Sequence, residues 1–92
     1  MHVEWDQAKN RRNIVKHGID FADVQEMFSH PMLTLFDDRY DYGESRWISI
    51  GRLQAQIAVV VYTERCQGVV RIISARKATR YEVRNYEQAI KN

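Results

Sequence analysis

Residues 46–75, RWISIGRLQAQIAVVVYTERCQGVVRIISA, decide the fold. RWISIGRL alternates apolar and polar residues as a half-buried strand does. QIAVVVYTER holds the longest apolar run and is rich in β-branched residues, the pattern of a central strand covered on both faces. The link from Leu53 to Gln56 is short enough for a hairpin, CQGV reads as the next turn, and VVRIISA closes the series as a third strand.

Working outward, Thr79 and Glu82 have the spacing of a capping box and start a helix near Arg80. Toward the N-terminus, MLTLF is a short strand, followed by the acidic, glycine-containing loop DDRYDYGES. HVEW is another candidate strand. Asp6 stands as the N-cap of a helix over about residues 7–17, and Gly18 stands where a left-handed C-cap belongs. Asp20 opens a second helix, FADVQEMFS, which Pro31 follows. The order strand, helix, helix, four strands, helix predicts an α+β fold. Its expected form is a small antiparallel sheet with two N-terminal helices and one C-terminal helix.

Composition narrows the classes. The 92 residues form one domain, residues 1–92, with 45% hydrophobic and 28% charged residues, which are globular values. Cys66 is the only cysteine and the three histidines are scattered. No disulfide, zinc-ligand spacing or cofactor motif is present, and a reducing, cytoplasmic setting is expected. The polar start and the brevity of the run from Ile57 to Tyr62 argue against secretion and membrane insertion.

Charge is unevenly divided. Residues 1–45 carry five cations and nine acids, a net of −4, and residues 46–92 carry nine cations and three acids, a net of +6. Arg76, Lys77, Arg80 and Arg84 crowd the corner between the last strand and the last helix. A helix N-terminus disfavours cations, so an anion bound there would relieve both mutual repulsion and the dipole penalty. On the first helix Lys9, Arg12 and Lys16 form one stripe, with Asn13 and His17 beside it. Ala8, Ile14 and Val15 are left to supply its buried side. Arg71 interrupts an apolar strand and has two readings: a site residue, or the partner of an acid such as Glu64 across the sheet. Period two places Arg71 and Arg76 on opposite faces unless the strand ends or bulges near Ala75. His17 reads either as a favourable C-terminal helix charge or as a proton-transfer group, and Glu44 with Arg46 as either a site edge or a rim pair.

EWDQAKNRRNIVKHGIDFADV, ESRW, YTER and above all VRIISARKATRYEVRNYE resemble the BrnT family, toxins of bacterial type II toxin–antitoxin pairs. The resemblance covers nearly the whole chain, and RIISARKA followed by a charged helix is its most specific part. It implies a RelE-like α+β fold, endoribonuclease activity on RNA, and a BrnA-type antitoxin through which alone operator DNA is contacted. Residue by residue it points to Lys9, His17, Glu44, Arg46, Arg65, Arg71 and Arg76. The loop 39–43 lies where such chains vary and implies nothing.

The mechanism expected from this resemblance is metal-independent attack of a ribose 2′-hydroxyl on the adjacent phosphorus. In it Arg71, Arg76 and Arg65 stabilise charge on the phosphate oxygens, and His17 and Glu44 are the proton-transfer candidates. Lys9, Arg46, Lys77, Arg80 and Arg84 would bind RNA, the last three through flanking phosphates. The competing reading is a non-catalytic nucleic-acid or protein-binding module acting as co-repressor with its partner.

Overall fold

The computed structural model describes residues 1–91. Its elements are β1 (His2–Trp5), α1 (Gln7–His17), α2 (Phe21–Val24), β2 (Leu33–Asp37), β3 (Arg46–Leu53), β4 (Gln56–Arg65), β5 (Val69–Lys77) and α3 (Arg80–Lys91). Short 3-10 turns follow α2 and β4. The strands form one sheet in the order β1-β5-β4-β3-β2.

The local signals act where the residues place them. Asp6 accepts from the Lys9 N–H at 3.0 Å, and Gly18, at φ 71°, donates its N–H to Ile14 O. Both arms of the Thr79/Glu82 box form: Thr79 N–H donates to Glu82 Oε1 at 2.8 Å and Glu82 N–H to Thr79 Oγ1 at 3.2 Å. These bonds satisfy donors that a helix N-terminus otherwise leaves unpaired.

Three expectations need correction. The sheet is mixed: β2, β3, β4 and β5 pair antiparallel, but β1 lies parallel to β5, with Glu4 opposite Arg71. A parallel pair is not joined by a local turn, so no short sequence signal announces it. The second helix keeps α geometry only over Phe21–Val24, and Gln25–Ser29 tighten into a 3-10 helix. The buried side of α1 is polar. Asn10 and Asn13 are buried, whereas Ile14 is 40% and Val15 88% exposed.

Those asparagines replace an apolar stripe with hydrogen bonds. Asn10 Nδ2 donates to Asp20 Oδ1 at 3.0 Å, and its Oδ1 accepts from Phe21 N–H at 2.8 Å. Asn13 Nδ2 donates to Ile19 O at 2.9 Å, and its Oδ1 accepts from Ala75 N–H at 3.1 Å. The last bond explains the position of α1. β1 pairs with β5 only as far as Ile72, so beyond it the edge of β5 has no strand beside it, and α1 covers that edge.

The main core lies on one face of the sheet, where Phe21, Val24 and Met27 pack against Val60, Tyr62, Ile72 and Ala75. On the other face Val83 and Tyr86 of α3 pack against Ile50 and Val59. α3 covers only part of that second face, and the candidate site occupies the rest.

Candidate nucleic-acid interface

The register of β4 against β5 changes once. Tyr62 lies opposite Ile72 and Val61 opposite Ser74, so Ile73 has no partner on β4. This bulge resets the alternation of β5. Residues directly opposite one another project to the same face, and Arg71, Ser74 and Arg76 lie opposite Thr63, Val61 and Val59. Those three alternate along β4, so Arg71, Ser74 and Arg76 all share the α3 face.

Extending the register across the sheet gives rows. The outer row is Glu4, Arg71, Thr63, Arg46, Asp37; the next is Ser74, Val61, Ile48, Leu35; the third is Arg76, Val59, Ile50, Leu33. Arg46 and Arg71 flank Thr63 in the outer row, about 10 Å apart at Cα for two strand spacings. Arg76 lies about 16 Å along the strand from Arg71 at ~3.3 Å per residue. The two strand-borne arginines therefore share a face but not a single point.

Each cation of these rows has a neighbour. Arg71 NH1 donates to Glu4 Oε2 at 2.8 Å, which replaces the Glu64 partner considered from the sequence. Arg76 donates from NH1 and NH2 to the two oxygens of Glu82, each at 2.8 Å. That fork holds the Glu82 carboxyl down at about 2 and raises the Arg76 guanidinium. Arg46 Nε donates to Glu44 Oε2 at 3.4 Å, and its guanidinium carbon sits 3.9 Å from the centre of the Tyr42 ring. Thr63 stands apart: its hydroxyl is buried and has no hydrogen-bond partner among the described residues.

The loop after β2 supplies residues that the sequence did not single out. Arg39 Nε and NH2 hold the two oxygens of Asp37 at 2.8 and 3.0 Å, and Tyr42 Oη donates to Asp37 Oδ2 at 3.0 Å. The Asp37 side chain is 1% exposed. The Arg39 hydrogen bonds, aided by Tyr42 and opposed by burial, bring its carboxyl to about 2. This anchor holds Arg39 beside the second and third rows, close enough to Arg76 to oppose its charge. The Asp-x-Arg spacing next to Tyr40 and Tyr42 is the local signal for this anchor, in a loop that otherwise reads as variable.

Two cavities share Ser74 in their lining. One, about 420 Å³, lies on the α3 face, with Leu35, Ile48 and Val61 in its walls and Arg39, Arg76, Tyr81 and Asn85 around it. The other, about 330 Å³, is lined by Lys9, Arg12, Lys16 and His17 of α1 with Ile73 and Ser74. Ser74, next to the bulge, thus stands between the basic stripe of α1 and the cavity on the α3 face. Arg65 is exposed at the end of β4, beside a third cavity with Glu64 and Val69. Lys77, Arg80 and Arg84 are exposed and line none of these cavities; the side of α3 that faces the sheet cleft carries Tyr81, Glu82 and Asn85. Among the described residues no group of three His, Cys, Asp or Glu side chains is placed to hold a metal ion. No helix of the described residues is long and apolar enough to cross a membrane.

Comparison with known proteins adds the family. The model of a family described as the ribonuclease toxin BrnT of type II toxin–antitoxin systems matches residues 5–82. The chain belongs to the BrnT family. Among solved structures, the crystal structure of the Brucella abortus ribonuclease toxin BrnT superposes with a TM-score of 0.66 at 29% identity, covering 87% of this chain and 99% of that one. No curated protein matches the chain. The α+β architecture, with its five-stranded sheet and three helices, is the BrnT fold. The family assignment carries a ribonuclease activity, an RNA substrate and an antitoxin partner at the level of the family.

Proposed function

We propose that this protein is an endoribonuclease toxin that cleaves RNA without a metal ion, slows translation by doing so, and is silenced by a BrnA-type antitoxin that alone contacts operator DNA. One observation carries the reading: Arg46 and Arg71 stand on either side of the unpaired Thr63 hydroxyl in one cross-strand row, with Arg76 on the same face. Two guanidinium groups carried on one sheet face by β3 and β5, on either side of a single residue of β4, match the needs of a phosphodiester whose non-bridging oxygens gain charge in the transition state.

In the proposed step the ribose 2′-oxygen attacks the adjacent phosphorus and loses its proton to a base, while the P–O5′ bond breaks and the 5′-oxygen gains a proton. The products are a 2′,3′-cyclic phosphate and a 5′-hydroxyl. Glu44, hydrogen-bonded to Arg46 at the edge of the row, and His17, which lines the α1 cavity together with Ser74, are the proton-transfer groups of this proposal. Arg71 and Arg46 stabilise the charged phosphate, Arg65 and Arg76 extend the cationic surface along the strand, and Lys9 continues it onto α1. Lys77, Arg80 and Arg84 hold phosphates further along the chain, adding affinity without base selection.

A second reading has one observation in its favour. Arg71 and Arg76 are each already paired with a carboxylate, as in a binding surface that is neutralised until a partner displaces the acid. A non-catalytic module acting as co-repressor with its antitoxin fits that arrangement. Incubating purified protein with RNA, with and without chelator, separates the two. Cleavage that survives chelator and is lost in folded Arg71→Ala establishes the enzyme. RNA that shifts in a gel yet stays intact establishes the binder.

A further inference from the structure

The cleft on the α3 face has a composition that phosphate binding does not explain. Its floor is aliphatic, from Leu35, Ile48 and Val61. The Tyr81 ring stands at its edge, 69% exposed, so it packs little against the protein's own core. Asn85, one helical turn further along α3, also lines the cleft, and its side-chain amide makes no hydrogen bond among the described residues. Arg39 and Arg76 stand beside this apolar space, each fixed by a bidentate carboxylate and each with N–H donors left over. At about 420 Å³ the cleft falls within the ~300–1,000 Å³ range of small-molecule sites.

From this we infer that the cleft is a nucleobase pocket, which selects one base of the RNA next to the scissile phosphate. The inference rests on the RNA reading given above and extends it to specificity. An unstacked base of single-stranded RNA presents a π-face, a hydrogen-bonding edge and an attached phosphate. Tyr81 offers a ring for the face, the Asn85 amide offers a donor and an acceptor for the edge, and Arg39 and Arg76 meet the phosphates on either side. An apolar segment of a protein partner would use the floor but leave the amide and both cations without a counterpart. The pocket lies one row from Arg46, Thr63 and Arg71, so a base held in it keeps its own phosphate near the proposed reaction centre.

The test uses binding, not cleavage. Short 2′-O-methyl RNA oligonucleotides lack the attacking hydroxyl and remain intact; their dissociation constants are measured by fluorescence anisotropy for a series in which each base in turn is removed. For the unaltered protein, loss of one particular base weakens binding by about 5- to 150-fold, the span of base–aromatic stacking. Tyr81→Ala weakens binding of the complete oligonucleotide by a similar factor and is indifferent to removal of that same base. Tyr81→Phe, which keeps the ring, restores affinity, and Asn85→Ala narrows the preference among the four bases at that position. The pocket is overturned if Tyr81→Ala binds as the parent does, if its loss adds in full to that of every missing base, or if Tyr81→Ala impairs only antitoxin binding. Base-dependent binding without cleavage of ordinary RNA removes the nuclease reading alone. Cleavage with affinity and base preference unmoved by both substitutions removes the pocket alone.

Discussion

Arg71 donates to Glu4 at 2.8 Å across the one parallel strand pair of the sheet, so the first strand of the chain holds an arginine of the last. The two side chains are 33% and 36% exposed, and a pair this open to water contributes roughly 0–1 kcal/mol. Its larger effect is competition, since a phosphate must share or displace the same guanidinium. Glu4→Gln is expected to lower stability by less than about 1 kcal/mol in urea titration. It should also tighten binding of uncleavable RNA and steepen its salt dependence. Weaker binding would mean that Glu4 orients Arg71 for the ligand.

Thr63 offers a separate probe of the same row. A buried hydroxyl without a partner costs stability, so Thr63→Val, which keeps the shape, should be neutral or stabilising by about 1 kcal/mol. If the hydroxyl donates to the phosphate, the variant loses about 10- to 100-fold in kcat/KM, the worth of a hydrogen bond to a charged group. Unchanged cleavage kinetics together with a raised melting temperature would assign Thr63 to packing alone.

The asparagines of α1 carry its attachment. Removing Asn13 leaves the Ala75 N–H and the Ile19 carbonyl without their partner, and each such buried group costs ~1–3 kcal/mol. Asn13→Ala should therefore destabilise by roughly 2–6 kcal/mol, read as a lowered urea midpoint. Val15→Ala, at an exposed position on the same helix, should shift it by less than about 0.5 kcal/mol. Comparable losses from both would show that an apolar contact holds the helix.

Acid should unlock the corner before α3. The Glu82 carboxyl is lowered from 4.5 to about 2, first by its hydrogen bonds from Arg76 and further by the Thr79 N–H. A depressed carboxylate stabilises the fold fully above its unfolded value and loses that contribution as pH falls through the folded one. Stability should thus decline between about pH 5 and 2, and Glu82→Gln should flatten this part of the profile. An unaltered slope in the variant would place the acid sensitivity elsewhere, with Asp37, also held at about 2 by Arg39, the first alternative.

Much of this architecture is legible in local chemistry. The strands from Arg46 onward, the Gly18 cap and the Thr79/Glu82 box follow from residues within a few positions of one another, although β5 runs two residues past Ala75, where its sequence pattern ends. What the sequence conceals is non-local. The β1–β5 pairing joins the two ends of the domain, and nothing in HVEW states which strand it meets. Asn10 and Asn13 read as surface because their burial depends on acceptors and donors supplied by Asp20, Phe21, Ile19 and Ala75. Period two alone separates Arg71 from Arg76; the Ile73 bulge reunites their faces, two residues before the position from which the sequence suggested a break. Tyr81 and Asn85 are hidden for another reason. Their face of α3 turns toward the cleft only because of how the helix lies on the sheet, which its own sequence does not encode.

The most direct measurement is the chemistry of the ends left on RNA incubated with the purified protein in chelator. The expected result is fragments bearing a 2′,3′-cyclic phosphate or 3′-phosphate and a 5′-hydroxyl, and none when Arg71→Ala, folded to the parent melting temperature, replaces the protein. Fragments bearing 5′-phosphates, or RNA left whole at concentrations where it is fully bound, would contradict cleavage by 2′-hydroxyl attack at the Arg46–Thr63–Arg71 row.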